Sequence, residues 1–208
     1  MLSAEEIEEV LRGGYELRGF ELKGPGSRED AHFFAKVTRA ALGLGNLRDG
    51  GHVILGIDDA HPAAMGPGLD AYDLASWLAY DDVARKLATY ADPPLRFAVA
   101  KRVLSSGATV AVLQVFEFDD IPHLCAKDHP AGLRKGALYV RPRKVPETSD
   151  IASSVEMREI LDLATEKALR AFVERAQRAG VELSTQRPEE QSAADDVRYE
   201  NERGRAWL

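Results

Sequence analysis

The chain opens polar and then falls into a helical rhythm. In "SAEEIEEVLR" the apolar residues Ile7, Val10 and Leu11 recur at three- and four-residue steps or side by side, which lays one stripe along an α-helix. Ser3 followed by Glu6 forms a reciprocal capping pattern ahead of it, and Gly13-Gly14 ends it. From Tyr15 to Lys23 the pattern turns to alternation, "YELRGFELK", and predicts a strand. "GPGS" breaks the chain, after which Phe33, Val37, Ala40 and Ala41 in "REDAHFFAKVTRAALGL" restore a helical period. "HVILGIDD", introduced by Gly50-Gly51 and closed by acids, predicts a buried strand with a polar end, where sites are often built.

Further on, "LDAYDLASWLAYDDVARKLATYA" predicts one amphipathic helix that stops at "DPP", because proline denies the residue before it an easy helical conformation. "LRFAVAKRVL" and "TVAVLQVFEF", separated by "SSGA", read as a hairpin. An irregular stretch, "DDIPHLCAKDHPAGLRKG", leads to a strand, "ALYVRP", and a last helix starts at about Ser154. The final residues carry almost no apolar content and no period, and are expected to form a mobile polar tail. Neither strict alternation nor segregation of the two element types appears, so the order predicts an α+β domain with a mixed sheet flanked by helices. The expected organisation is a domain over 1–165, a helical extension over 166–184 and the tail over 185–208.

At 208 residues, 45% hydrophobic and 29% charged, the chain is long and apolar enough for one folded core. It shows no basic start followed by an apolar run and no stretch of about eighteen apolar residues, so neither secretion nor membrane spanning is expected. Cys125 is the only cysteine, which rules out an internal disulfide and suits a reducing, cytoplasmic setting. A formal net charge of −7 disfavours indiscriminate attachment to polyanions but allows a local basic face.

The basic residues fall into two groups: Arg18, Lys23, Arg28, Lys36 and Arg39 around the first strand and helix, and Arg134, Lys135, Arg141, Arg143 and Lys144 around the last strand. The mixture of cations and an aromatic in "LRKGALYVRPRK" is what a groove following a nucleic-acid backbone needs; the same cations on strand edges also block edge pairing. "GPGSRED" opens a helix whose amides suit an anion, yet it lacks the Gly-Lys-Ser/Thr of a Walker loop, and Ser27 or Asp30 suits a capping role. His123, Cys125 and His129 are zinc-type ligands with no fourth nearby, too few for a structural zinc site.

Taken in order, Glu21-Leu22-Lys23, Asn46, Gly50-Gly51, Gly56-Ile57-Asp58 and Tyr139-Val140-Arg141 resemble the pattern of the Schlafen AlbA-like domain family, over about residues 10–165. The link "NLRDGG" from Asn46 to the glycine pair is longer than the family pattern. Members of that family are mostly nucleic-acid-binding modules, and its animal branch includes metal-dependent ribonucleases that cut structured RNA with two glutamates and an aspartate. The resemblance implies Glu16, Glu21 and Asp58 as catalytic residues and as ligands of magnesium or manganese, a hard cation that takes oxygen ligands and activates water. It also implies a phosphate-binding role for Arg141, and the basic groups offer Arg18, Lys23, Arg134, Lys135, Arg143 and Lys144 as further candidates. A spacing of five puts Glu16 and Glu21 on opposite faces of a regular strand; either Gly19 makes a bulge between them or Glu16 precedes the strand proper.

Three functions remain open on this reading. One is a metal-dependent nuclease acting on structured RNA such as transfer RNA. Another is a non-catalytic module binding RNA or DNA. The third is a subunit that docks a protein partner through its C-terminal helix and tail, with Leu161, Ala164, Ala168 and Phe172 forming a stripe on the helix. A homo-oligomer is compatible with each.

Overall fold

A computed structural model describes residues 1–13, 18–58, 62, 66–143, 147–150 and 153–181. The expected tail over 185–208 lies outside these residues, as do Glu16 and Lys144. Contacts divide the chain into two units, Met1–Ala168 and Leu169–Leu208.

The first unit is an α+β fold around a four-stranded mixed sheet. Helix α1 (Ala4–Gly13) precedes strand β1 (Phe20–Lys23), helix α2 (Ala31–Gly45) and strand β2 (Gly51–Leu55). The region predicted as one helix divides into α3 (Ala71–Leu78) and α4 (Tyr80–Ala88), broken at Ala79, whose ψ of 79° is not helical. Then come β3 (Ala91–Asp92), the hairpin β4 (Phe97–Val103) and β5 (Thr109–Val115), β6 (Leu124–Cys125), β7 (Tyr139–Val140), β8 (Ser149–Asp150) and α5 (Ser154–Arg178). The sheet order is β1-β2-β5-β4, with β1 parallel to β2 and the other pairs antiparallel. A parallel pair needs a crossover, and α2 supplies it.

The register sorts side chains onto two layers. Val53, Leu55, Leu113 and Val115 face α2, α3 and α4, packing with Phe34, Val37, Trp77 and Leu87. Ile54, Val110 and Val112 face α1, packing with Ile7 and Leu11. Because β2 is sandwiched between these layers, its Val53, Ile54 and Leu55 read as a continuous apolar run in the sequence. A third cluster, Phe118, Val140, Ile160 and Leu163, seats the first half of α5. In the second unit α5 continues to Arg178, and Val181 N donates to Ala176 O at 2.9 Å beyond Gly180, whose φ is +74°, a left-handed close of the helix.

Capping is explicit. Asp30 accepts from the amides of His32 and Phe33 at the start of α2, and Ser3 and Glu6 exchange hydrogen bonds at 3.2 and 2.8 Å. Asn46, just past α2, ties distant segments together: its amide nitrogen donates to the carbonyls of His123 and Tyr139, and its oxygen accepts from His123 N. Gly51 is required by closeness, since a Cβ there would lie 2.5 Å from the Gly19 carbonyl oxygen.

His123 is 3% exposed, with Nδ1 donating to the Pro93 carbonyl at 2.7 Å. Burial holds its pKa below the ordinary imidazole value, against the smaller upward pull of that hydrogen bond. Neutral His123 is therefore favoured in the fold, so stability is fully present above the unfolded value of about 6.5 and is lost as pH falls below it. Urea melts between pH 7.5 and 5 are expected to show that loss, at up to about 1.4 kcal/mol per pH unit for such a group, with a shallower slope in His123→Asn.

Candidate nucleic-acid interface

The outward stripe of α2 carries His32, Lys36 and Arg39, one turn apart. Beside it runs the segment between β6 and β7, residues 126–138. The two are in contact: the rings of His32 and His129 lie edge to face at 6.5 Å, and His129 meets Tyr90 in the same manner at 6.3 Å. Lys127 lies over Tyr90, 5.7 Å from its centroid. Arg39 lies over Tyr139 at 5.5 Å.

Tyr139 fixes the loop that completes this face. Its hydroxyl donates to Gly132 O at 2.8 Å and accepts from Arg134 N at 2.9 Å, and burial, with the nearby Asp150 charge among the lesser causes, raises its pKa. Lys135 N donates to the Asp128 carboxylate at 2.8 Å, and Arg134 pairs with Asp150 while staying 70% exposed. Arg39 and Lys127 thus lie over rings of this face, Arg134 and Lys135 belong to its loop, and Lys36 is on the exposed stripe of α2, with Asp128 and Asp150 as the acids paired in the loop.

Arg39 differs from its neighbours. It is half-buried, its Nε is buried without a partner, and among the described residues its guanidinium makes no hydrogen bond or ion pair. Arg28 also has a buried unpartnered Nε, but Glu29 and Asp82 balance its charge. Arg39 thus holds a planar donor fork, oriented by the ring beneath it, with no anion of its own among the described residues.

The expected phosphate-binding residues fall into three places. Arg134 and Lys135 belong to the face just described. Arg18 and Arg143 line a cavity of about 540 Å³ between the end of α2 and α5, where both pair with Glu159. Burial pushes the Glu159 carboxyl up, but hydrogen bonding and charge from Arg18, then Arg143, outweigh it and hold its pKa below the ordinary value. Arg141 is 2% exposed, and its donors are spent inside the protein. Nε reaches Arg18 O at 2.6 Å, Nη2 reaches Phe20 O at 2.7 Å, and Nη1 bonds Glu21 and the Thr148 hydroxyl. Arg18 Nε in turn donates to Arg141 O. Gly43 lets this knot sit against α2, since a Cβ there would meet Thr148 Cγ2 at 2.7 Å.

The acids separate in a similar way. Glu21 has Oε1 on Lys23 Nζ and Oε2 on Arg141 Nη1. Asp58 is exposed, just past β2, where Gly56 N and Ile57 N both donate to Lys23 O. Arg18 and Gly19 form a turn ahead of β1, so the strand proper starts at Phe20; Glu16 is outside the described residues. Among the described residues no three His, Cys, Asp or Glu side chains gather as a metal site. His123, Cys125 and His129 have separate local partners: the Pro93 carbonyl, the Lys127 carbonyl and the Ala131 amide. No described helix is long and apolar enough to cross a membrane.

Two solved structures match part of the chain. The N-terminal domain of a putative ATP-dependent DNA helicase RecG-related protein from Nitrosomonas europaea matches 65% of this chain and 88% of its own, at 22% identity and a TM-score of 0.46. The DIP2311 protein from Corynebacterium diphtheriae matches 64% of this chain at 16% identity and a TM-score of 0.44, and the chain spans 22% of its length. No protein-family model and no curated protein matches the chain.

Breaking a buried ion pair from one side leaves a charge with no partner. Arg141→Ala is therefore expected to cost about 3–5 kcal/mol in urea unfolding, and Arg134→Ala, which removes an exposed pair, about 1 kcal/mol or less.

Proposed function

We propose that this domain binds nucleic acid through its phosphate backbone, using the α2 stripe and the β6–β7 segment. The observation that carries the reading is Arg39: a half-buried arginine over the Tyr139 ring whose Nε has no partner among the described residues, on the helix that also carries Lys36 and beside the loop of Arg134 and Lys135. An incoming phosphate would accept from that fork in two places and supply the missing counter-charge. The Tyr139 and Tyr90 rings of the face already lie under Arg39 and Lys127, which at these two rings favours contact with phosphates over stacking of bases. On a chain of net charge −7, such binding is local and strongly dependent on salt.

Anisotropy titrations with a labelled RNA hairpin and a DNA duplex of matching sequence test this. Affinity is expected to fall steeply with salt, and Arg39→Ala to weaken it about tenfold and flatten the salt slope by about one. Binding that is absent at low salt, or unchanged in a folded Arg39→Ala protein, sinks the proposal.

A second, finer reading is metal-dependent cleavage of structured RNA by Glu16, Glu21 and Asp58. Parallel pairing of β1 with β2, continued by the Gly56 and Ile57 amides on Lys23 O, favours it by bringing Asp58 to the end of the strand that carries Glu21. As arranged, the described acids do not fit a metal, because both Glu21 oxygens are engaged by cations. Magnesium or manganese would supply Lewis acidity and an activated water, and Glu21 would first have to leave Lys23 or Arg141. Cleavage of transfer RNA with either metal, abolished by chelator and by Glu21→Gln while binding persists, is the expected signature. Cleavage that survives both excludes this site.

A further inference from the structure

The two edges of the sheet end differently. At the β1 edge the carbonyls of Arg18 and Phe20 accept from the buried Arg141 guanidinium. Among the described residues the β4 edge has no such cover. Arg96 O accepts from Phe116 N, and Leu104 N donates to Ala108 O; with the register between them, this assigns Ala98, Ala100 and Arg102 to the hydrogen bonds with β5. The backbone groups of Phe97, Val99, Lys101 and Val103 then point away from the sheet. Among the described residues, the one partner shown for these groups is the Arg102 guanidinium on the Lys101 carbonyl at 2.7 Å, which leaves that oxygen a second lone pair. A seven-residue open edge with Val103 52% exposed is a template for another strand.

We propose that β4 pairs with β4 of a second copy of this chain, antiparallel about a two-fold axis at Ala100, giving one eight-stranded sheet. The self-complementary register decides for this occupant. With the axis at Ala100, Phe97 lies opposite the second copy's Val103 and Val99 opposite its Lys101, and each of these pairs exchanges the outward N–H and C=O groups on both sides. Arg102 falls opposite Ala98, so no two cations face each other directly. The nearest like charges are diagonal, on the order of 7–8 Å apart and open to solvent. Phe97 with Val103 is an aromatic and β-branched pair, a favourable cross-strand combination. An isologous contact of this kind closes on itself and does not propagate into fibres.

Proline at an outward position removes a donor the dimer needs and none that β5 uses. Light scattering after size exclusion is expected to give twice the chain mass for the wild type. Lys101→Pro should give the single chain mass, with dimer dissociation raised on the order of tenfold or more for the two symmetry-related bonds lost. In Ala100→Cys the two thiols face each other across a non-hydrogen-bonded pair, about 4.5 Å between Cα atoms. With diamide as the two-electron oxidant they should join into a covalent dimer, whereas Ser106→Cys in the exposed hairpin turn should not. Cys125, buried at 1% exposure, stays out of the reaction. A wild type that remains at the single mass up to high micromolar concentration overturns the proposal. So does a Lys101→Pro protein that stays dimeric, and should that variant fail to fold, lack of crosslinking in Ala100→Cys is equally decisive.

Discussion

The Arg141 guanidinium holds this fold's first strand to its last segments. β1 is four residues long, is paired with a neighbour strand on one side and packs Phe20 and Leu22 against the cluster under α1. What fixes its other side is a buried fork that spends its donors on two backbone carbonyls, the Glu21 carboxylate and a threonine. Buried charge is costly unless paired and hydrogen-bonded, and here each requirement is met by a different part of the chain. Helix α2 must come close to this knot, which explains why Gly43 stands in a helix interior, where glycine is otherwise unfavourable.

This constraint reorders the chemistry that the basic and acidic residues suggest. Glu21 and Arg141 neutralise each other inside the protein, and Arg18 and Arg143 share Glu159. Positive charge in excess of local partners is found instead where α2 and the β6–β7 segment run side by side. An acidic chain can therefore carry a basic face, because its acids are spent elsewhere: on helix caps such as Asp30, on α1 through Glu8 and Ser105, and on the pairs around α5.

Much of the architecture was legible in the sequence. The β4–β5 hairpin, the buried run of β2, the capped start of α2 and the long last helix all announce themselves through local periodicity or turn chemistry, and the α+β class follows from their order. The break at Ala79 did not, because helical period continues across it, and the two-residue strands β3 and β6 are too short to carry a pattern. For the site, local sequence showed which residues are basic but not which are satisfied. Arg141 and Arg39 look alike along the chain; only long-range contacts, with Glu21 and Phe20 for one and with the Tyr139 ring for the other, distinguish a brace from an unspent cation. The contacts of β4 with β5 are likewise legible, whereas the exposure of its far edge is a property of the assembled sheet.

Tyr139 has a kinetic and entropic consequence of its own. Its single hydroxyl closes residues 132–134 from both ends, donating to one carbonyl and accepting from one amide, while its ring aims Arg39. The backbone bearing the loop cations is therefore ordered before any partner arrives, and much of the conformational freedom that association would otherwise remove has already been given up during folding. For the nucleic-acid binding proposed above, encounter on such a surface would need little rearrangement, and its rate would depend on diffusion and long-range charge.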